Sequence, residues 1–162
     1  MAPSATRRTS QARSAGILLY RHAPPGGIEV LLVHPGGPFW AKRDEGAWSI
    51  PKGEFGPDED ALAAARREFA EELGAEPPTG PPHDLGEVRQ RAGKLVRAYA
   101  LEGDLDADQI TSNTCQIEWP PRSGRQIEIP EVDRAEWFTF EKAGTKINPA
   151  QAELLDRLAQ RV

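Results

Sequence analysis

The stretch GEFGPDEDALAAARREFAEELGA, residues Gly53–Ala75, decides the fold. Its second half lacks proline, is rich in alanine and leucine, and stops at Gly74, the pattern of a helix ended by glycine. Asp58 is the expected N-cap, with Glu59 and Asp60 in the first turn, where a helix favours negative charge. At about 100° per residue, Leu62, Ala65, Phe69 and Leu73 share an apolar face that can lie on a sheet. Glu68, Glu71 and Glu72 share a second face. They sit in the last turn, where the helix favours Lys or Arg, and Glu68 and Glu72 repel at i,i+4 by roughly 0.2–0.5 kcal/mol. A solvated acidic face is the plainest account of such a run. The other is a divalent cation, because magnesium takes carboxylate oxygens, keeps several waters and bridges to substrate phosphates. Arg67, one turn before Glu71, can hold it, but one guanidinium does not neutralise three carboxylates.

The flanks extend this reading. In IPKGEFGPDE, Gly53 and Gly56 permit a tight turn that brings a backbone carbonyl near the glutamates, and Lys52 can meet a phosphate as a point charge. Upstream, AGILLY and IEVLLVH, joined by APPGG, predict a hairpin of Gly16–His22 and Ile28–His34. A loop follows, then a short strand at Trp48–Ile50. Downstream, AEPPTGPP is a loop, and GEVRQR and KLVRAYAL form a strand pair joined through Gly93. The acidic linker DLDADQ leads to strands in TCQIEW and RAEWFTF, with a Pro/Gly-containing stretch between them. NPAQAELLDRLAQRV closes the chain as a helix capped by Asn148, with Pro149 at its first position and Leu154, Leu155 and Leu158 as its apolar stripe. Strands in mixed order with two helices predict one layered α/β domain.

The chain has 162 residues and a net charge of −5, enough for one domain with a proper core and unsuited to general binding of nucleic acid. Residues 1–14 are expected to be a disordered arm, and 15–162 a single domain. No apolar run is long enough to span a bilayer, and no signal-peptide pattern follows the basic N-terminus. The single cysteine, Cys115, excludes an intramolecular disulfide and a cysteine-cluster zinc site. A reducing, cytoplasmic setting is expected, with no membrane and no stable nucleic-acid partner, the protein being a monomer or homodimer.

Gly53, Glu59, Arg67-Glu68-Phe69, Glu71-Glu72 and Gly74-Ala75 stand at the spacing of the signature of the Nudix hydrolases, which the chain resembles over these residues, the preceding hairpin and the later EWF strand and helix. The resemblance implies an α/β/α sandwich around a mixed sheet. It implies metal-dependent hydrolysis of a phosphoanhydride in a nucleoside diphosphate linked to another group, with Mg2+ or Mn2+ as cofactor. Carried over by position, Glu68 and Glu72 are metal ligands, and Glu71 is a ligand, the base for the attacking water, or both. Arg67 orients the glutamates, Glu59 supports them, and the carbonyl of Lys52 or Gly53 completes a metal shell. Some members draw the base from a loop outside the helix; Glu118, Glu128 and Glu131 are the candidates here.

The WSIPKGE segment is similar to that of members acting on diadenosine polyphosphates, oxidised nucleoside triphosphates or diphosphoinositol phosphates. A dinucleoside polyphosphate or a (modified) nucleoside triphosphate is therefore the expected substrate. Arg91-Ala92-Gly93 stands where dinucleoside polyphosphate hydrolases often carry a tyrosine and ADP-ribose hydrolases a proline. Trp40 and Tyr99 are candidates to stack on a base, worth ~1–3 kcal/mol each; Lys42, Arg43, Lys94 and Arg97, like Lys52, are candidates for the polyphosphate. Two alternatives remain: a catalytically silent nucleotide-binding sensor, and a pyrophosphohydrolase of RNA 5′ ends.

Overall fold

The computed structural model describes residues 12–162. Two β-branched, leucine-rich runs form the long strands β1 (Arg13–Ala23) and β2 (Gly27–Pro35), an antiparallel hairpin as expected. Then come β3 (Lys52–Glu54), helix α1 (Ala61–Leu73), β4 (His83–Arg89) and β5 (Leu95–Glu102). A 3-10 turn at Ala107–Gln109 leads to β6 (Thr114–Glu118), β7 (Gln126–Pro130) and β8 (Val132–Thr139). Helix α2 (Phe140–Lys146), a 3-10 turn at Pro149–Gln151 and helix α3 (Ala152–Ala159) complete the described chain. The main sheet has the order β4-β5-β1-β2-β8 with β3 also on β1. It is mixed, because β1 runs parallel to β5 and antiparallel to its other neighbours.

Alternation along β1 and β2 divides the core into two layers. Ala15, Ile17, Leu19, Leu31 and Val33 face α1 and pack on Ala64, Ala65, Phe69 and Leu73. Leu18, Tyr20, Val30 and Leu32 face the other way, onto Trp48, Ile50, Phe138, Ile147, Leu154, Leu155 and Leu158. Each fully buried Leu, Ile or Phe contributes about 1.5–3 kcal/mol over leaving it in water. This is the expected α/β/α sandwich. Among the described residues no helix is long and apolar enough to cross a membrane.

Several boundaries differ from expectation. Strand β1 starts at Arg13, so Arg13 and Ser14 are sheet rather than arm; the rest of the expected arm, through residue 11, lies outside the described residues. Asp60, not Asp58, caps α1, its carboxylate accepting from the Ala63 N–H at 3.0 Å. A turn closed by the Glu59 N–H on the Gly56 carbonyl holds the preceding residues, leaving Glu59 outside the helix and free to reach Arg67. Trp48 and Ser49 make only isolated bridges, to Ile147 and Val33, and the strand proper is Lys52–Glu54. Strand β7 and helix α2 fall where the sequence shows only a Pro/Gly stretch and the end of a strand. β7 alternates Ile127 and Ile129 with polar residues over too short a span to register alone.

β6 and β7 form their own two-stranded sheet. Their apolar residues Cys115, Ile117, Ile127 and Ile129 belong to neither core layer.

Candidate active site

Two parts of the sheet place the site. The first half of β1 pairs with β3 (Ser14 with Glu54, Ala15 with Gly53, Gly16 with Lys52), while its second half pairs with β2. The Ile17 N–H donates to the Pro51 carbonyl at 3.2 Å, fixing the entry to β3. Helix α1 then lies on the sheet by its apolar face, which turns the glutamate face towards β3.

Glu68 and Glu72 are almost wholly buried, 9% and 6% exposed, so the face is not a solvated one. Glu71 is at the mouth, with its side chain 42% exposed. The Glu68 carboxylate rests directly over Gly53, filling the space that a Cβ there would need. Any other residue at position 53 displaces Glu68. Glycine at 74 serves a different need: it adopts φ 73° as the left-handed cap, and its N–H donates to the Ala70 carbonyl at 2.8 Å.

The unfavourable helix end is relieved by the chain itself. Backbone N–H groups of Asn113 and Thr111 donate to the carbonyls of Glu71 and Leu73, at 2.9 and 3.1 Å. Carbonyls that would otherwise project partial negative charge at the carboxylates are thereby satisfied. Arg67 adds positive charge. Its guanidinium forks onto Glu59, with Nε and Nη2 donating at 3.0 and 2.9 Å. Nη1 donates to Glu68 at 2.7 Å and lies 3.6 Å from Glu71. These partners, Glu59 foremost, raise the already high pKa of Arg67.

The electrostatics still leave the carboxylates short of cation. Burial first, and then the charge of Glu71, raise the pKa of Glu68 against the pull of Arg67. Glu72 is pushed up to about 8, chiefly by burial, with Glu131 and Glu68 adding to the Lys52-opposed shift. Lys52 is lowered in turn, by burial first and then by Lys94, against the pull of Glu72. A buried carboxyl with this bias holds a proton near neutral pH unless a cation displaces it.

The residues fit a hard divalent cation. Carboxylates of Glu68, Glu71 and Glu72 share one helix face beside the backbone of Lys52 and Gly53. The Ser14 hydroxyl is buried at the same cleft with no hydrogen-bond partner among the described residues. Among the described residues no three His, Cys, Asp or Glu side chains are grouped closely enough to hold a metal ion by themselves. Magnesium takes as few as one or two carboxylates from a protein, its other ligands being water and substrate oxygens.

The cleft around this face, about 450 Å³, is lined by Ser14, Lys52, Gly53, Glu68, Glu71 and Glu131, with Lys94 at its edge paired to Glu54 at 2.7 Å. A smaller hollow of about 190 Å³ reaches Lys52, Glu72 and Glu131 from the side of Val33 and Val132. Of the three late glutamates, only Glu131 lines either space. Glu118 accepts from the Gly124 N–H and Glu128 from Thr114 Oγ1, both on the outlying hairpin. Trp40, Lys42, Arg43 and Tyr99 line neither space. Trp40 packs on the α2–α3 side of the core, with the Arg43 guanidinium 6.0 Å from its ring centre, and Tyr99 packs on the α1 side near Arg97. Ser14 was hidden from sequence reasoning, since nothing but its sheet partners marks it. Of the further polyphosphate candidates, Lys94 reaches the cleft, whereas Arg97 pairs with Asp84 and lines neither space.

A family model described as NUDIX domain matches residues 10–158. Comparison of the sequence with curated proteins gives no match. Among solved structures, the NUDIX domain of Shewanella oneidensis NrtR complexed with ADP ribose superposes with a TM-score of 0.66 at 17% identity, covering 98% of this chain and 92% of that one. A C. elegans Ap4A hydrolase binary complex gives 0.62 at 24% identity, over 91% and 96% of the two chains. A mutT/nudix family protein from Listeria innocua gives 0.60 at 15%, over 93% and 92%. At such identities the likeness is one of fold, while the family match spans the whole sandwich and the glutamate helix with it. The chain therefore belongs to the Nudix hydrolase family, whose enzymes act on phosphorus-containing acid anhydrides.

Proposed function

We propose that this protein is a metal-dependent pyrophosphohydrolase that cleaves a phosphoanhydride bond of a nucleoside diphosphate linked to another group. The substrate class is a dinucleoside polyphosphate or a (modified) nucleoside triphosphate, met in a reducing, cytoplasmic setting. One observation carries the reading: Glu68 and Glu72 are buried against Gly53 and Lys52, with Glu71 open to the cleft. Burying two like charges is costly, and a site that receives further negative charge from substrate needs cations.

Glu68 and Glu72 would hold Mg2+ or Mn2+, with Glu71 and the carbonyls of Lys52 or Gly53 as further donors. When bound, the metal supplies Lewis-acid stabilisation of the phosphate oxygens and a more acidic water. Arg67 keeps Glu68 oriented through its fork on Glu59. Glu71 and Glu131 both border the cleft, so either carboxylate can take a proton from water in the open space between them. Lys52 and Lys94 supply positive charge along the polyphosphate. The substrate class rests on the similarity of WSIPKGE to that of the corresponding family members.

The test is a screen of nucleoside triphosphates, dinucleoside polyphosphates, nucleotide sugars and capped RNA with magnesium, with product identification. Turnover of a nucleotide polyphosphate, abolished by chelator and lowered about a hundredfold or more in Glu71→Gln, is the expected result. Binding without turnover on every substrate would replace the enzyme with a nucleotide sensor, and selective action on capped RNA would replace the substrate class.

A further inference from the structure

Gln151 has none of its surface exposed. A buried amide left unbonded costs about 1–3 kcal/mol, and here it is fully engaged. Its Oε1 accepts from the Ile50 N–H at 3.1 Å. Its Nε2 donates to Ser49 Oγ and to Gln90 Oε1, both at 3.0 Å. The Ser49 hydroxyl donates in turn to the Ile50 carbonyl at 2.6 Å.

The two far ends of this junction lead to the same cleft. Ile50 stands two residues before Lys52. Gln90 closes the β4–β5 turn, its N–H donating to the Lys94 carbonyl at 2.8 Å. Lys52 and Lys94 both line the cleft that holds Glu68 and Glu71. Neither backbone segment is a neighbour of the other in the sheet, and Gln151 reaches both from the start of α3.

We infer that Gln151 is a positioning residue that sets the spacing of Lys52 and Lys94 across the cleft, and so the fit of a polyphosphate chain between them. The choice of ligand rests on the function proposed above; the wiring from Gln151 to the two lysines does not. Directional bonds from one buried amide hold both segments to a single geometry, which an apolar side chain of equal volume would not specify.

The experiment uses the full chain with 13Cε-labelled lysines, the Lys52 and Lys94 resonances being assigned from Lys52→Arg and Lys94→Arg spectra. Gln151→Met is expected to move both resonances, Ser49→Ala that of Lys52 alone, and Gln90→Ala that of Lys94 alone. Tripolyphosphate affinity in magnesium should fall about fivefold in Gln151→Met, the equivalent of one hydrogen bond. On a turned-over nucleotide, KM should rise by a similar factor with kcat little changed, as for a lost ground-state contact. A folded Gln151→Met protein with parental lysine resonances and parental tripolyphosphate affinity overturns the inference. If that variant does not fold, lack of the selective shifts in Ser49→Ala and Gln90→Ala overturns it. Should the parent hydrolyse no nucleotide, the proposed function fails while the resonances still decide the wiring.

Discussion

The carboxylate of Glu68 occupies the space that a Cβ on Gly53 would fill. Strand β3 and helix α1 therefore meet at a point where one partner has no side chain and the other has a charged one. Gly53→Ala should push Glu68 out of place, lowering kcat about a hundredfold, the scale of a small misplacement at a reacting centre. Overpacking of this kind also costs about 1–3 kcal/mol of stability. Steady-state kinetics beside thermal unfolding measure both, and a parental rate in a folded variant would refute the close approach.

Glu72 sets the pH response of the metal-free protein. Its pKa rises from 4.5 to about 8 in the fold, so the folded state binds the proton more tightly than the unfolded chain. The contribution of Glu72 to stability is then fully present below about pH 4.5 and is lost as pH rises through about 8, by up to a few kcal/mol. Glu68 is shifted in the same direction. Urea unfolding with chelator at pH 5 and pH 8 should show the decline. Glu72→Gln should flatten it, leaving a protein more stable at pH 8 than its parent, with weaker uptake of magnesium by calorimetry.

Arg67 acts through geometry as well as charge. Its fork on Glu59 and its branch to Glu68 need a planar guanidinium, which lysine does not offer. Arg67→Lys should lower kcat about tenfold or more, while a Glu59→Gln and Arg67→Lys double-mutant cycle should show coupling of about 1 kcal/mol, modest because solvent reaches the pair. Purely additive effects would remove Glu59 from the support of the cluster.

Glu131, Glu118 and Glu128 separate cleanly. Glu131→Gln should reduce kcat about tenfold or more and alter the rising limb of the pH–rate profile, as loss of a group beside the reacting water does. Glu118→Gln and Glu128→Gln, on the hairpin, should leave both unchanged. Equal effects from all three would mean that the hairpin folds over the cleft in solution.

The helix, the first hairpin and the sandwich were legible because each has a strong local signature: a glycine stop, a PPGG turn, an apolar face of helical period. The glutamates were legible as a misfit, since their position contradicts the helix dipole. Part of its relief is not local. Asn113 and Thr111 reach back to Glu71 and Leu73 at the helix end from much further along the chain, and their main-chain donors carry no mark in the sequence. The aromatic candidates fared differently: Trp40 and Tyr99 each pack against a core layer, as large rings generally do. Ser14 and Gln151 gain their meaning only from strand pairing and burial. A short polar residue beside a strand reads the same whether it ends in solvent or in a cleft.

The outlying hairpin of β6 and β7 has a consequence for how such a protein changes over time. It hangs from Asn113 and Glu131, which are joined by the Glu131 N–H and the Asn113 carbonyl at 3.0 Å, and its apolar residues are in neither core layer. Its Ile129 and Pro130 lie against Gly36 and Gly37, just after β2, whereas its far turn, residues 120–124, bonds only within the hairpin among the described residues. Selection can therefore lengthen or trim that tip while the glutamate helix is inherited unaltered.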